Sequence, residues 1–295
     1  QRRCIDALGP RPRYWPRLLA MTPPREQWSL DTRRLGRRVL VFDRLDSTNN
    51  RAAQFADDPA NEGIAILADE QTAGRGQHGR TWLASPRASV LLSILLTPPP
   101  ELCRPAVLTA WAAVAVCTTI GETIGCATRI KWPNDVLLHD RKVCGILIES
   151  AVRRPLSAVR QKPQRTADSG RRTAVVGIGL NVQQSAEAFA AAGLPEATSL
   201  AQFTASPLDT HSVAAELIRQ LDRDYDRLCQ GDLGTLETCW KGHLGLLGKE
   251  VAAECHEGIY HGRLLELSFR AVELARPDEP PLVLAPERIQ HLCEA

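Results

Sequence analysis

A chain of 295 residues, 44% apolar and 24% charged, has material for one sizeable core and a small extra domain. Its net charge of +2 is too weak a field to draw nucleic acid or an anionic membrane. Nine scattered cysteines with no Cys-x-x-Cys argue against a disulfide framework. With no signal-peptide pattern and no apolar run of membrane-spanning length, they predict free thiols in the cytosol (cytoplasmic localisation).

Residues 1–36 are rich in Arg and Pro and read as a disordered extension, too short and Pro-interrupted for a helix-turn-helix. Met21 is the single methionine, so translation is expected to begin there, with residues 1–20 outside the working protein. Val39–Phe42 is a short apolar strand. Asp46-Ser47-Thr48-Asn49 offers an N-cap for a helix to about Asp57, and capping alone would account for Ser47 and Thr48. Ile64–Ala68 reads as a buried strand leading into the stretch Asp69–Trp82. There Gly74, Gly76 and Gly79 allow close backbone approach, and Arg75 and Arg80 add cationic forks. Such a loop either cradles an anion or is a surface turn with solvated arginines.

Ser89–Leu96 is a second buried strand, stopped by Pro98-Pro99-Pro100. Pro105 opens a helix to about Ile124 that is apolar nearly all round, which places it at the centre of the fold. Thr128–Lys131 is a strand broken by Trp132-Pro133-Asn134-Asp135. Val136–Leu138 and Val143–Glu149 then pair through a turn at His139-Asp140-Arg141. Residues 153–173 hold many Arg and Lys against the single acid Asp168 and read as a disordered basic loop, without the interleaved aromatics of a nucleic-acid patch. Ala174–Ile178 resumes the sheet, residues 185–192 form a helix ending at Gly193, and Asp209 opens a helix to Leu228. A glycine-rich boundary at Gly242–Gly248 precedes short alternating strands over 249–292, a small β-barrel. Cys255, His256 and His261 match no closed zinc set. The expected architecture is α+β: an extension (1–36), a mixed-sheet domain (37–244) and a β module (245–295).

Four stretches taken together resemble the biotin protein ligase family: Asp46-Ser47-Thr48-Asn49, Gln71-Thr72-Ala73-Gly74-Arg75-Gly76, Lys131-Trp132-Pro133-Asn134-Asp135 and Gly177-Ile178-Gly179-Leu180-Asn181. Arg141–Glu149 and Gly248-Lys249-Glu250-Val251 extend the likeness, which covers about residues 37–251 in order. The resemblance implies a class II aminoacyl-tRNA-synthetase-like mixed sheet with flanking helices and a C-terminal SH3-like barrel. It implies the monofunctional class, which does not repress transcription, acting as monomer or homodimer on a biotin carboxyl carrier domain. The implied reaction joins biotin and ATP into biotinyl-5′-AMP, with Mg²⁺, and then passes the acyl group to a carrier lysine.

That first step brings a carboxylate onto a negative phosphate, so fixed positive charge is needed where they meet. Lys131 and Arg75 are the expected catalytic groups; a salt bridge at the core edge is the other reading of Lys131. By resemblance Ser47, Thr48, Asn49 and Gln71 serve the polar part of biotin. Gly145, Gly177 and Gly179 let backbone pack against its ring, Trp82 closes over it, and Gly74, Arg75, Gly76 and Lys131 complete the pocket. ATP falls to Arg75, Gln77, His78, Arg80, Trp82, Lys131, Asn134 and Asn181, with no firm metal ligand beyond proximity to Asn181. Two departures stand out. Gln77 replaces the family's second loop arginine, which predicts leakage of biotinyl-AMP. The C-terminal module lacks the usual closing strand, with Arg276-Pro277-Asp278-Glu279-Pro280-Pro281 as a stiff insertion. The rival readings are a lipoate ligase or octanoyl transferase, a non-catalytic biotin sensor, and a regulator binding nucleic acid through 153–173.

Overall fold

A computed structural model of the protein describes residues 22–151, 172–277 and 279–295. The expected start at Met21 and nearly all of the basic loop therefore lie outside the described residues. Eight strands form one sheet: β1 (Glu26–Trp28), β2 (Val39–Leu45), β3 (Ala65–Gln71), β4 (Ser89–Leu96), β5 (Thr128–Lys131), β6 (Asp135–Leu138), β7 (Arg141–Ala151) and β8 (Thr173–Asn181). Their order is β1-β2-β3-β4-β8-β7-β6-β5. The pair β2–β3 is parallel and its neighbours are antiparallel, so the sheet is mixed. The parallel step needs a crossover, which carries α1 (Thr48–Ala53), shorter than the stretch to Asp57.

The two faces of the sheet follow from the two-residue period of strands. Val90, Leu92 and Ile94 of β4 and Val176, Ile178 and Leu180 of β8 join the main core, together with Ile146 of β7. Their alternates point the other way, toward α1, where Leu95 and Val175 pack with Phe42 and Ala52. On that second face Leu91 stands opposite Gly179, and Gly179 opposite Gly145; Ser93 stands opposite Gly177, and Gly177 opposite Leu147. Three glycines on adjoining strands thus leave a patch of sheet almost without side chains.

The main-core face is covered by α2 (Pro105–Ile124), α4 (Thr210–Cys229) and α5 (Leu233–Leu244); α3 (Ala186–Ala191) is a short surface helix capped by Ser185. Pro105 sits in the first turn of α2 and Gly125, at φ +70°, ends it. This helix is long and apolar enough to cross a membrane, but 72% of its apolar window is buried inside the protein. The Trp111 indole donates to the Leu221 carbonyl at 3.2 Å, tying α2 to α4. α5 has no counterpart in the sequence reading; Leu236, Trp240 and Leu244 form its buried stripe.

Two expectations are corrected. Residues 22–36 are not a free extension: β1 pairs with β2, Trp28 and Leu35 are buried, and the Asp222 carboxylate accepts the backbone N–H groups of Arg33, Arg34 and Leu35 at 2.7–2.8 Å. A few apolar anchors within an Arg/Pro-rich run suffice to dock it. The C-terminal module also ends in a strand rather than stopping at the proline-rich insertion. β9 (Glu250–Cys255), β10 (Gly258–Leu267), β11 (Val272–Arg276), β12 (Glu279–Leu284) and β13 (Ile289–Glu294) form an antiparallel sheet in the order β12-β11-β10-β9-β13. Pro280 and Pro281 lie in the edge strand β12, where a missing N–H is tolerated. The module shares the main core, with Trp240 stacked on Phe269 (4.9 Å) and tilted against Trp132 (5.5 Å).

Candidate active site

The glycine patch is the floor of a cavity of about 320 Å³, in the range of small-ligand sites. A Cβ on Gly179 would lie 2.5 Å from the Trp82 indole, and one on Gly145 would lie 3.0 Å from it. A Cβ on Gly177 would lie 2.4 Å from the Asn49 amide oxygen. Absence of side chains therefore admits both neighbours onto the floor. Behind the floor, in the main core, burial pushes the Cys144 thiol well above its ordinary value and that of Cys117 up to about 12.

One end of the cavity is polar. Gln71 Oε1, at the end of β3, accepts from the Thr48 backbone N–H at 2.7 Å and from its hydroxyl at 3.0 Å. The buried Ser93 hydroxyl lies 2.8 Å from Thr48 Oγ1 and 2.5 Å from Asn49 Oδ1, and its single proton serves one of them at a time. Ser47 is buried at the N-cap of α1 yet its side chain makes no capping bond, so its hydroxyl remains for the cavity it lines.

The glycine loop folds back over the floor as a small hairpin. Gly76 N–H donates to Arg80 at 2.7 Å, Trp82 N–H donates to Gly74 at 3.0 Å, and Arg75 bridges Thr81. His78 holds φ +55° at the tip. Gly74 is required here because a Cβ would lie 2.5 Å from the Trp82 carbonyl oxygen. Arg75, Gly76, Gln77, His78, Arg80 and Trp82 all line the cavity; Gly74 lies in an adjoining hollow beneath the loop. The Arg75 guanidinium is not a free fork: Nη2 donates to Glu149 at 2.8 and 3.1 Å.

Lys131, at the end of β5, is exposed and lines the cavity, and among the described residues no carboxylate pairs with it. The salt-bridge reading of Lys131 finds no partner. Asn134 has a scaffolding task, its Nδ2 donating to the Ile146 carbonyl at 2.8 Å. Asn181 lines the cavity but is buried, donating to Thr198 O at 3.0 Å and accepting from Ser89 at 3.3 Å. The structure thus brings all of the anticipated side chains around one cavity.

Several lining residues escaped the sequence reading. Lys142 pairs with Asp135 at 2.7 Å and stands 5.8 Å from the Trp82 ring. Phe189, Leu194 and Ala197 supply an apolar wall. His291 reaches the cavity from β13, where a bulge between Ile289 and His291 re-aims the side chain. The Trp132 indole, 3.0 Å from the Ile289 carbonyl, pins β13 against the Lys131 turn. Among the described residues no His/Cys/Asp/Glu group is arranged to hold a metal ion.

The sequence model of the Biotin/lipoate A/B protein ligase family matches residues 41–159. The bifunctional ligase/repressor BirA of Bacillus subtilis is 30% identical over 253 residues, covering 86% of this chain and 74% of that protein. The biotin–[acetyl-CoA-carboxylase] ligase of Mycobacterium tuberculosis is 33% identical over 218 residues, covering 68% and 71%. In fold, the chain is similar to the Aquifex aeolicus biotin protein ligase solved with biotin and ATP, at a TM-score of 0.67 and 24% identity over 87% of this chain and 99% of that one.

Proposed function

The chain belongs to the biotin protein ligase family, and on that footing we propose that it joins biotin to a carrier lysine in two steps at this cavity. In the first, an oxygen of the biotin carboxylate attacks the α-phosphorus of ATP, the bond to the bridging oxygen breaks, and pyrophosphate leaves. In the second, the carrier lysine attacks the acyl carbon of biotinyl-5′-AMP, AMP departs, and the amine loses its proton to solvent. The mixed anhydride is already activated, so no side-chain nucleophile is required.

The observation that carries the reading is the convergence on one cavity of a bare glycine floor, a hydrogen-bonding end and an unpaired lysine. A fused apolar ring system bearing one urea needs the first two: Gly145, Gly177, Gly179 and Trp82 for the rings, and Ser47, Thr48 and Gln71 for the polar edge. Two anions that must meet need the third, and Lys131 suits the carboxylate and α-phosphate. Gln77, His78 and Arg80 line the same cavity and are the groups left to receive the nucleotide in this reading. Asp135 is the carboxylate on the cavity wall and pairs with Lys142, while Asn181 spends its amide in the core. The lining thus fits Mg²⁺ carried in on ATP phosphates, where it would neutralise the departing pyrophosphate, rather than a cage of protein ligands.

The acceptor is a biotin carboxyl carrier domain of a biotin-dependent carboxylase, and eight unpaired cysteines among the described residues suit a reducing cytosol. The test is to incubate purified protein with ATP and either biotin or lipoate, measuring pyrophosphate release and transfer to a carrier fragment. Biotin-dependent release and transfer are expected; lipoate-dependent, biotin-independent release would overturn the reading.

A further inference from the structure

Glu149 stands on the site face of β7 but outside the main cavity, in the hollow beneath the glycine loop with Thr72 and Leu147. Its carboxylate has two partners from different parts of the site. Arg75 of the loop donates through Nη2 at 2.8 Å, and Asn49 of α1 donates through Nδ2 at 2.6 Å. Asn49 continues to Ser93 at 2.5 Å, Ser93 to Thr48 at 2.8 Å, and Thr48 to Gln71 at 3.0 Å. Six side chains thus run without a break from Gln71 to Arg75, four residues apart in the chain. Together with the backbone between them they close a ring around the root of the loop.

We infer that Glu149 is a positioning residue that couples closure of the glycine loop to the polar end of the cavity; the inference rests on the ligase reading above. The carboxylate fixes Asn49 with its Nδ2 outward and its Oδ1 toward Ser93, the orientation that lets the amide pack over Gly177. A ligand that engages Thr48 or Gln71 changes which partner takes the Ser93 proton, and the change passes through Asn49 and Glu149 to Arg75. Arg75 therefore acts through Glu149, holding the loop over the ligand, rather than as a free charge.

The test compares wild type with Glu149→Gln, Arg75→Gln and the double variant, measuring biotinyl-AMP dissociation and melting temperature. Biotin-induced protection from trypsin at Arg80 is measured for wild type and Glu149→Gln. Each single variant is expected to release the adenylate about tenfold faster, as loss of one charge-assisted bond implies, and the double variant no faster than either. Glu149→Gln is also expected to lose the biotin-induced protection with its melting temperature unchanged. Release at the wild-type rate, or effects that multiply in the double variant, would overturn the inference, as would a lowered melting temperature with normal release. A wild type that forms no adenylate would instead overturn the ligase reading.

Discussion

The Trp82 indole rests on the Cα of Gly179, so close that a Cβ there would lie 2.5 Å from the ring. Gly179 is a β8 residue paired on both sides, with Leu91 and Gly145, so the backbone cannot retreat and the indole must move instead. Gly179→Ala is expected to weaken biotin binding about tenfold or more, overpacking of this kind costing about 1–3 kcal/mol. Adding Trp82→Ala should relieve the clash without restoring the wall. Calorimetric titration of both variants decides; wild-type affinity in Gly179→Ala would mean that the indole swings aside freely.

Lys131 lines the cavity and has no carboxylate partner among the described residues, so its charge is kept for a ligand. Lys131→Gln is expected to cut biotin-dependent ATP–pyrophosphate exchange by about a hundredfold or more, the scale for losing a donor aimed at developing charge. Stability should stay within about 0.5 kcal/mol, as for other exposed positions. An active Lys131→Gln enzyme would remove the lysine from the chemistry.

Gln77, half-buried at the cavity wall, stands where the family resemblance leads one to expect an arginine. A neutral amide cannot offset adenylate phosphate charge, so wild type should leak biotinyl-AMP. Gln77→Arg should slow release about tenfold, the worth of one charge-assisted hydrogen bond. Trapping released adenylate with a distal amine reads this directly, and equal release from the two proteins would refute it.

Much of this geometry was legible in the sequence, because apolar runs mark strands buried on both faces. β4, α2 and β5 fall at Ser89–Leu96, Pro105–Ile124 and Thr128–Lys131, as the periodicity and Pro105 predict. Gly74, Gly145, Gly177 and Gly179 were readable as places of close approach, though not which neighbour approaches; Gly76 meets only ordinary contacts and Gly79 meets nothing within 4 Å. In the sequence Glu149 reads only as the end of a strand, since a lone acid carries no sign of the loop arginine 74 positions away that it will meet. His291 depends on a bulge, which period-two reading passes over. β1 and the last strand β13 are hard to see in the sequence because Arg and Pro around them mask a few well-placed apolar residues.

Asp69 is a buried carboxylate that accepts from Arg25 at 2.7 Å, His211 at 2.8 Å and Arg87 at 2.9 Å. It joins the β1 segment, the loop before β4 and the start of α4. Burial alone would raise its pKa, but the bonds from His211, Arg87 and Arg25 outweigh burial and hold it below the ordinary 3.8. A carboxylate depressed in the folded state contributes stability above its unfolded value, and that contribution drains away as pH falls from about 3.8 through the lower folded value. Asp69→Asn is expected to cost about 2–4 kcal/mol at neutral pH, because two arginines lose a buried partner. The variant's melting temperature should also vary less than that of wild type between pH 5 and pH 3. Parallel acid limbs for the two proteins would show that Asp69 does not govern the acid transition.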